Sequence, residues 1–145
     1  MTVAAVLKQK GVSIISIGPN TSCVKIAEII TAQRIGALVM MDDDNTLLGI
    51  VSERDLVKAI ARHREKALAM TAMELMTPNP VVATPETTVD EAMEMMDRGY
   101  FRHLPVMCDG KPAGIISIRD LVKYRIMLQQ NDVENLTSYV FRAGT

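Results

Sequence analysis

Gly49-Ile-Val-Ser-Glu-Arg-Asp-Leu-Val-Lys58 recurs in this chain as Gly114-Ile-Ile-Ser-Ile-Arg-Asp-Leu-Val-Lys123, and eight of the ten positions are identical. The two copies lie 65 residues apart, whereas matching residues farther upstream lie 66 apart. One residue is therefore missing from the second copy, and the turn ahead of the stretch is shorter there, at 108–112 against 42–47. Hairpin tips tolerate such changes in length. Because self-similarity at a fixed interval indicates a repeat architecture, the chain is predicted to be two units of about 65 residues.

Each unit shows the same predicted order of elements, which is strand, helix, strand, strand, helix. Short apolar runs between turn residues indicate the strands, and apolar residues at helical spacing indicate first helices that begin at Ser22 and Thr88. Thr88-Val-Asp-Glu91 also fits a capping box. The second helices begin at Arg54 and Arg119, inside the repeated stretch. The predicted strands cover 13–17, 37–41 and 47–52 in the first unit and 81–84, 103–107 and 113–117 in the second.

The predicted fold class is α/β, of the α+β kind, built from two β-α-β-β-α repeats. A unit of this size cannot bury both faces of its small sheet alone. The two units are therefore expected to pack sheet to sheet about a pseudo-two-fold axis. Such a pair creates two equivalent clefts.

Composition places the chain among ordinary folded proteins, since 48% of its residues are hydrophobic and 23% charged. Sixteen basic and seventeen acidic residues leave a net charge of -1, so no overall charge favours nucleic acid or an anionic membrane. No apolar run approaches the roughly 18 residues that span a bilayer, and the N-terminal apolar part is too short for a signal peptide. The chain is therefore expected in the cytoplasm. Cys23 and Cys108 lack metal-ligand spacing and are expected to be reduced thiols.

The repeated stretch places three polar side chains within one turn at the start of a helix. In the first unit Ser52, Arg54 and Asp55 supply a hydroxyl, a guanidinium and a carboxylate beside free backbone N–H groups. A carboxylate accepts hydrogen bonds from both hydroxyls of a ribose, and the other groups bind phosphate. The pattern indicates a nucleotide site in each unit. The second set is Ser117, Arg119 and Asp120.

A purely structural role fits some of these residues as well. Ser and Asp before a helix are ordinary N-cap and first-turn residues, and Arg54 or Arg119 fits a surface ion pair. A cap needs only one of the three side chains, however, and both copies keep all three. The duplication therefore favours nucleotide binding.

With Arg102-His-Leu-Pro-Val106 ahead of the second copy, the chain resembles a tandem pair of cystathionine β-synthase domains. These are usually called CBS domains or, as a pair, a Bateman module. The resemblance covers 5–127, with one repeat at 5–66 and the other at 67–127, and leaves 128–145 as a C-terminal tail. It is closest to the stand-alone members of the family.

The resemblance implies roles for particular residues. In the family the motif Asp typically holds the ribose and the Ser faces the phosphate. Adenine stacks between apolar strand residues, for which Ile15 and Val81 match. The position of Arg102 and His103 often contributes a basic group toward phosphates, and since the first copy has Gly36-Ala37 there, the two sites are expected to differ in charge. The alternative is that His103 bonds a backbone carbonyl and Arg102 lies in solvent. The ribose and phosphate roles fall on Ser52, Asp55, Ser117 and Asp120.

Together these features predict a non-enzymatic regulatory module that binds AMP, ADP, ATP or NAD and needs no cofactor or metal. His63 and His103 are the only histidines, and neither lies in a nucleophile or metal-ligand pattern. The sequence also lacks a Walker loop and a Gly-x-Gly-x-x-Gly fingerprint. Three alternatives stay open: a constitutive dimerising scaffold with unused clefts, binding of an S-adenosyl ligand, and an enzyme that no motif indicates. The sequence does not identify the regulated protein partner.

A homodimer is expected from the faces of the first helices. These faces are broader than two small sheets are expected to cover, and exposed apolar patches usually mark an interface. Two-fold pairing is also the commonest form of oligomer. The tail at 131–141 adds apolar residues that pack against their own module or its neighbour. The helix residues concerned are Ile26, Ile29, Ile30, Ala92, Met93, Met95 and Met96.

Overall fold

The computed structural model describes residues 1–11 and 14–143, with side chains described as far as residue 141. A 3-10 helix at Arg64–Ala69 joins the two halves. The helices are α1 (Val3–Lys10), α2 (Cys23–Gln33), α3 (Glu53–His63), α4 (Ala72–Leu75), α5 (Val89–Gly99) and α6 (Ile118–Ala143). The strands are β1 (Ser16–Ile17), β2 (Ala37–Met41), β3 (Leu47–Ser52), β4 (Thr77–Pro78), β5 (His103–Cys108) and β6 (Lys111–Ser117).

The strands form two sheets, one in each repeat. The first has the order β1-β2-β3-β4, in which β1 runs parallel to β2 and the other neighbours are antiparallel. The second is the hairpin of β5 and β6. The predicted mixed α+β class is confirmed, and the strands predicted at 37–41 and 47–52 have the observed bounds.

Four of the predicted strands differ from the structure. Those predicted at 103–107 and 113–117 are longer, because β5 and β6 cover His103–Cys108 and Lys111–Ser117. The strand predicted at 13–17 is shorter, because β1 comprises only two residues, and Ser13 lies outside the described residues. The prediction at 81–84 is wrong, since Ala83 alone forms an isolated parallel bridge, with Val106. The reason is local. The Thr84 N–H donates to Thr87 Oγ1 at 3.0 Å, so the backbone turns away from the sheet one residue after the bridge.

Two hydrophobic cores lie beside the two sheets, and each includes a short helix from outside its own β-α-β-β-α run: α4 follows the first run, and α1 precedes both. Ala72 and Leu75 of α4 pack into the first core, and Val3, Val6 and Leu7 of α1 pack into the second. The sequence analysis did not predict α1. Equivalent backbone bonds dock the two helices: Val3 N–H donates to Thr87 O at 2.7 Å, as Ala72 N–H does to Thr21 O at 2.8 Å.

The glycine that opens the repeated stretch has a packing role in both copies. A Cβ on Gly49 would meet Met76 of the α4 segment and the Thr77 carbonyl oxygen, and one on Gly114 would meet Leu7 of α1. Both positions are therefore crowded, at Gly49 by the fixed backbone of β4 and at Gly114 by the movable side chain of Leu7.

Helix starts follow the predicted caps. The Ser22 hydroxyl accepts from Lys25 N–H at 3.1 Å, and the Thr88 hydroxyl accepts from Glu91 N–H at 3.0 Å, which is the first half of the predicted capping box. Within the described residues, no helix combines the length and apolar character needed to cross a membrane.

The apolar faces of α2 and α5 are used inside the chain. Ile26, Ile30, Ala92 and Met96 are buried in the two cores. Ile29, Met93 and Met95 are partly buried against the same cores. These faces therefore do not form the broad exposed patch that the sequence analysis expected. Much of the exposed apolar surface lies on α6 instead, at Val122, Ile126, Val133, Leu136, Tyr139, Val140 and Phe141.

Candidate functional site

Two clefts lie between the repeats, and each is lined by residues of both. The first cleft has a volume of about 400 Å³ and contains the first copy of the repeated motif. The second has a volume of about 670 Å³ and contains the second copy. Gly36, Glu53, Arg102 and His103 line both clefts, so the clefts meet at the centre of the module.

In the first cleft, Ser52 and Asp55 form a reciprocal capping box at the start of α3. The Ser52 N–H donates to Asp55 Oδ2 at 2.8 Å, and the Asp55 N–H donates to the Ser52 hydroxyl at 3.4 Å. The hydroxyl also donates to Asp55 Oδ2, at 3.1 Å. This uses one carboxylate oxygen and leaves Oδ1 of Asp55 without a hydrogen bond from the part of the chain that the structure describes. A capping role and a free acceptor therefore coexist on one side chain.

Arg54 connects the two repeats across the first cleft. Its Nη1 lies 3.4 Å from the carbonyl oxygen of Tyr100, the left-handed residue that ends α5. The bond is long, and the arginine side chain remains exposed, so its remaining N–H donors are available to a bound anion.

In the second cleft, Ser117 and Asp120 form the same reciprocal pair, with distances of 2.8 Å and 3.1 Å. An additional group is present here. Lys10, at the end of α1, places its Nζ 2.8 Å from Asp120 Oδ2 and 2.8 Å from the carbonyl oxygen of Ile115. The second carboxylate is therefore already held by an ammonium group.

The charge of Asp120 reflects these contacts. Burial alone raises the pKa of its carboxyl, but the hydrogen bonds from Lys10 and from the Ser117 backbone outweigh burial and hold the pKa below its ordinary value. Asp120 is thus ionised at neutral pH and paired with Lys10.

At the shared centre, His103 lies directly against Gly36. A Cβ on Gly36 would lie 2.6 Å from His103 Nε2, so the glycine of the first repeat makes room for the histidine of the second. Burial lowers the pKa of the His103 ring, and although the Glu53 carboxylate raises it, the net shift is downward. The ring is therefore neutral at pH 7, and the fixed positive charge shared by the two clefts comes from Arg102.

All ten residues predicted for the sites line one or both clefts. What they bind stays a prediction. Each cleft combines the motif of one repeat with an apolar residue of the other. The first is lined by Ser52, Arg54, Asp55 and Val81, the second by Ile15, Ser117, Arg119 and Asp120, and both by Arg102 and His103.

Several cleft residues escaped the sequence analysis. Lys58 and Lys123 belong to the repeated stretch, so the repeat itself carried a signal for them. Arg34 and Tyr100 lie 66 residues apart, so an alignment of the two repeats shows that they are equivalent positions. They line different clefts. Lys10 had no comparable signal, because it lies outside the repeated motif and reaches the second cleft from α1.

Two repeats with a shared motif and clefts between them define a tandem-repeat module, and comparison with known proteins identifies its family. The family model of the CBS domain matches residues 10–62 and again residues 72–126. The chain belongs to the CBS domain family.

Solved structures with the same fold include proteins crystallised with adenosyl ligands. The CBS-domain protein ATU1752 from Agrobacterium tumefaciens is 42% identical with a TM-score of 0.84, and the match covers 86% of this chain and 99% of that one. CBSX2, solved in complex with AMP, is 28% identical with a TM-score of 0.69, covering 80% and 90%. The CBS pair of MJ0100, solved with 5′-methylthioadenosine and S-adenosyl-L-methionine, is 25% identical with a TM-score of 0.75, covering 86% and 98%.

Among curated proteins, an uncharacterised 17.7 kDa protein of Acidianus ambivalens is 37% identical over 106 residues, which is 72% of this chain. This chain spans 63% of the length of that relative and 55% of the length of the mitochondrial CBSX3 of Arabidopsis thaliana.

Proposed function

We propose that this chain is a non-catalytic regulatory module that binds an adenine nucleotide, AMP, ADP, ATP or NAD, in the clefts between its CBS repeats. The observation that carries the proposal is the paired Ser, Arg and Asp set, one copy of which lines each cleft. The complex of CBSX2 with AMP supports the same ligand class. We infer that occupancy changes the shape of the module or its affinity for a regulated protein, because a ligand shifts whichever packing it binds more tightly.

The proposed binding mode assigns one part of the ligand to each kind of group. The ribose hydroxyls donate to Asp55 or Asp120, and the free Oδ1 of Asp55 supports this role in the first cleft. Phosphate oxygens accept from the motif serine, from backbone N–H groups and from Arg102. Adenine packs on Val81 or Ile15. Val81 is half exposed, which is consistent with a surface that a ligand covers.

An S-adenosyl or methylthioadenosyl ligand is the second candidate, because the related pair of MJ0100 was solved with both. Such ligands carry no phosphate. Arginines line both clefts, and this observation favours phosphate instead. Calorimetry with adenosine, methylthioadenosine and AMP separates the two candidates, since the phosphate proposal requires that AMP bind most tightly.

Mass spectrometry of ligand released from the purified protein, followed by calorimetry, tests the proposal. Asp55→Ala combined with Asp120→Ala is expected to weaken AMP binding by about tenfold to a hundredfold, because each variant removes a hydrogen bond to a charged group. Asp44→Ala, at an exposed hairpin turn, is the control.

A melting curve must accompany each variant, since losing a cap costs about 1 kcal/mol. Unchanged affinity in the double variant contradicts the ribose assignment. Absence of carried ligand together with no thermal shift from any adenosine compound favours a constitutive scaffold.

We propose further that two copies pair through the outer part of α6. Val133, Leu136 and Val140 are 64%, 66% and 61% exposed, although they are apolar. With Val122, Ile126 and Gln129 they form a run with steps of four, three, four, three and four residues, which is the heptad spacing of a two-stranded coiled coil. A second copy of the same helix covers such a face.

The cytoplasmic location stays a prediction from the sequence.

A further inference from the structure

The two clefts differ in the charge of their walls. Three cationic and two anionic side chains line the first cleft, whereas five cationic and two anionic side chains line the second. The cations of the first are Arg54, Lys58 and Arg102, and those of the second are Lys10, Arg34, Arg102, Arg119 and Lys123. His103 adds no charge to either cleft at pH 7, because burial lowers its pKa.

The two additional cations arise at definable places in the repeat. Arg34 ends α2 and Tyr100 ends α5, and both have the left-handed backbone conformation, with φ of 55° and 57°. They are equivalent positions of the two repeats. The charged Arg34 lines the second cleft, and the neutral Tyr100 lines the first. Lys10 ends α1, while the segment after the equivalent helix α4 contributes no charged residue to the first cleft; its lining residues are Thr77, Asn79, Pro80 and Val81.

Lys10 adds a cation to the second cleft beside the motif carboxylate. Its ammonium group contacts Asp120 Oδ2 and the Ile115 carbonyl oxygen, while Oδ1 of Asp120 accepts no hydrogen bond from the part of the chain that the structure describes. A ribose can therefore bind Oδ1 without displacing Lys10. Because an ammonium group has three donors, the third stays available to a phosphate in the same cleft.

We propose that the second cleft binds adenine nucleotides with two or three phosphates in preference to one, and that the first cleft discriminates less. This inference rests on the proposed function and adds that the two clefts prefer different ligands. A ligand of lower charge occupies the first cleft, and one of higher charge occupies the second. Phosphate charge therefore selects the cleft, while the ribose contacts are common to both.

Calorimetry on single-cleft variants tests this. Asp55→Ala leaves the second cleft intact and Asp120→Ala leaves the first, and each is titrated with AMP and with ATP in EDTA, so that no metal neutralises the phosphates. The ratio of ATP affinity to AMP affinity is expected to be about tenfold higher in Asp55→Ala than in Asp120→Ala, given the modest strength of partly exposed ion pairs. The ratio cancels contributions from the ribose and the adenine.

Exchanging the equivalent residues supplies the matched control. Arg34→Tyr in the Asp55→Ala background should lower the ratio about threefold, and Tyr100→Arg in the Asp120→Ala background should raise it by a similar factor. Both residues are exposed and share one backbone conformation, so neither change should disturb folding. Lys10→Met should also lower the ratio in the Asp55→Ala background.

The outcomes separate the two proposals. If wild-type protein binds none of AMP, ADP, ATP and NAD, the proposed function fails and this inference fails with it. If the nucleotides bind but the two ratios agree within twofold, or if the exchanges leave them unchanged, only this inference is overturned. Complete loss of binding in Asp55→Ala overturns it as well, because the second cleft then takes no nucleotide.

Discussion

Replacing Lys10 with methionine is expected to destabilise the ligand-free protein through a contact 110 residues away in sequence. Asp120 keeps only 18% of its side-chain exposure and Lys10 keeps 39%, so the pair is more shielded than a surface ion pair. Lys10 also donates to the Ile115 carbonyl oxygen. Hydrogen bonds to charged groups contribute about 1.5–3 kcal/mol when buried, and the partial exposure of Lys10 reduces this, so the expected loss is about 1–2 kcal/mol at pH 7.

The effect should depend on pH in a defined direction. The folded protein holds the pKa of Asp120 below its ordinary value, so this carboxylate stabilises the fold above the unfolded pKa, near 3.9, and stops doing so as pH falls through the folded value. Urea unfolding of wild type and Lys10→Met at pH 7 should therefore differ by about 1–2 kcal/mol, and the difference should shrink once the pH falls below about 4.

A double-mutant cycle with Asp120→Asn isolates the pair, and exposed Lys8→Met on the same helix is the control. Asparagine keeps an oxygen that can accept the Ser117 N–H, so the start of α6 is preserved. A coupling energy below about 0.3 kcal/mol, or a loss equally large at pH 7 and pH 3, would refute the assignment of Lys10 to Asp120.

Three further outcomes are expected. Gly49→Ala should lower the free energy of unfolding, measured by chemical denaturation, by about 1–3 kcal/mol, and Gly114→Ala by less. The new methyl group lies 2.8 Å from the rigid Thr77 carbonyl oxygen in the first variant and 2.8 Å from a movable Leu7 methyl in the second. Equal losses in the two variants would contradict this. Raising salt should weaken AMP binding in calorimetry more than adenosine binding, and parallel weakening would remove the role of the arginines. Leu136→Asp should convert a dimer to a monomer by light scattering, and a wild-type mass near 16.0 kDa would refute pairing.

Local patterns predicted those elements whose partners are close in sequence. The strands at 37–41 and 47–52 form a hairpin, so their apolar runs and the turn between them were sufficient. The cap at Ser52 and Asp55 was likewise readable, because its hydrogen bonds span three residues. Six of the ten predicted site residues came from the same short motif, whereas Ile15, Val81, Arg102 and His103 came from the family resemblance.

Two features were not readable from the pattern of apolar residues. The segment at 81–84 is apolar enough for a strand, but a local hydrogen bond from Thr84 N–H to Thr87 ends its pairing after Ala83. The apolar faces of α2 and α5 were expected to exceed what the sheets cover. Periodicity alone does not reveal that Val3 and Ala72, on helices outside the two β-α-β-β-α runs, complete the two cores.

The docking of α1 has a consequence for synthesis on the ribosome. Residues 3–10 emerge early, yet the core that receives Val3, Val6 and Leu7 includes Ile116 and Leu121, which are made more than 100 residues later. The first repeat has its full set of core residues once Leu75 has emerged, whereas α1 must wait for the second. Since contacts this distant in sequence form slowly, α1 is the last part of the module to reach its native place, although it is the first of these elements to be synthesised.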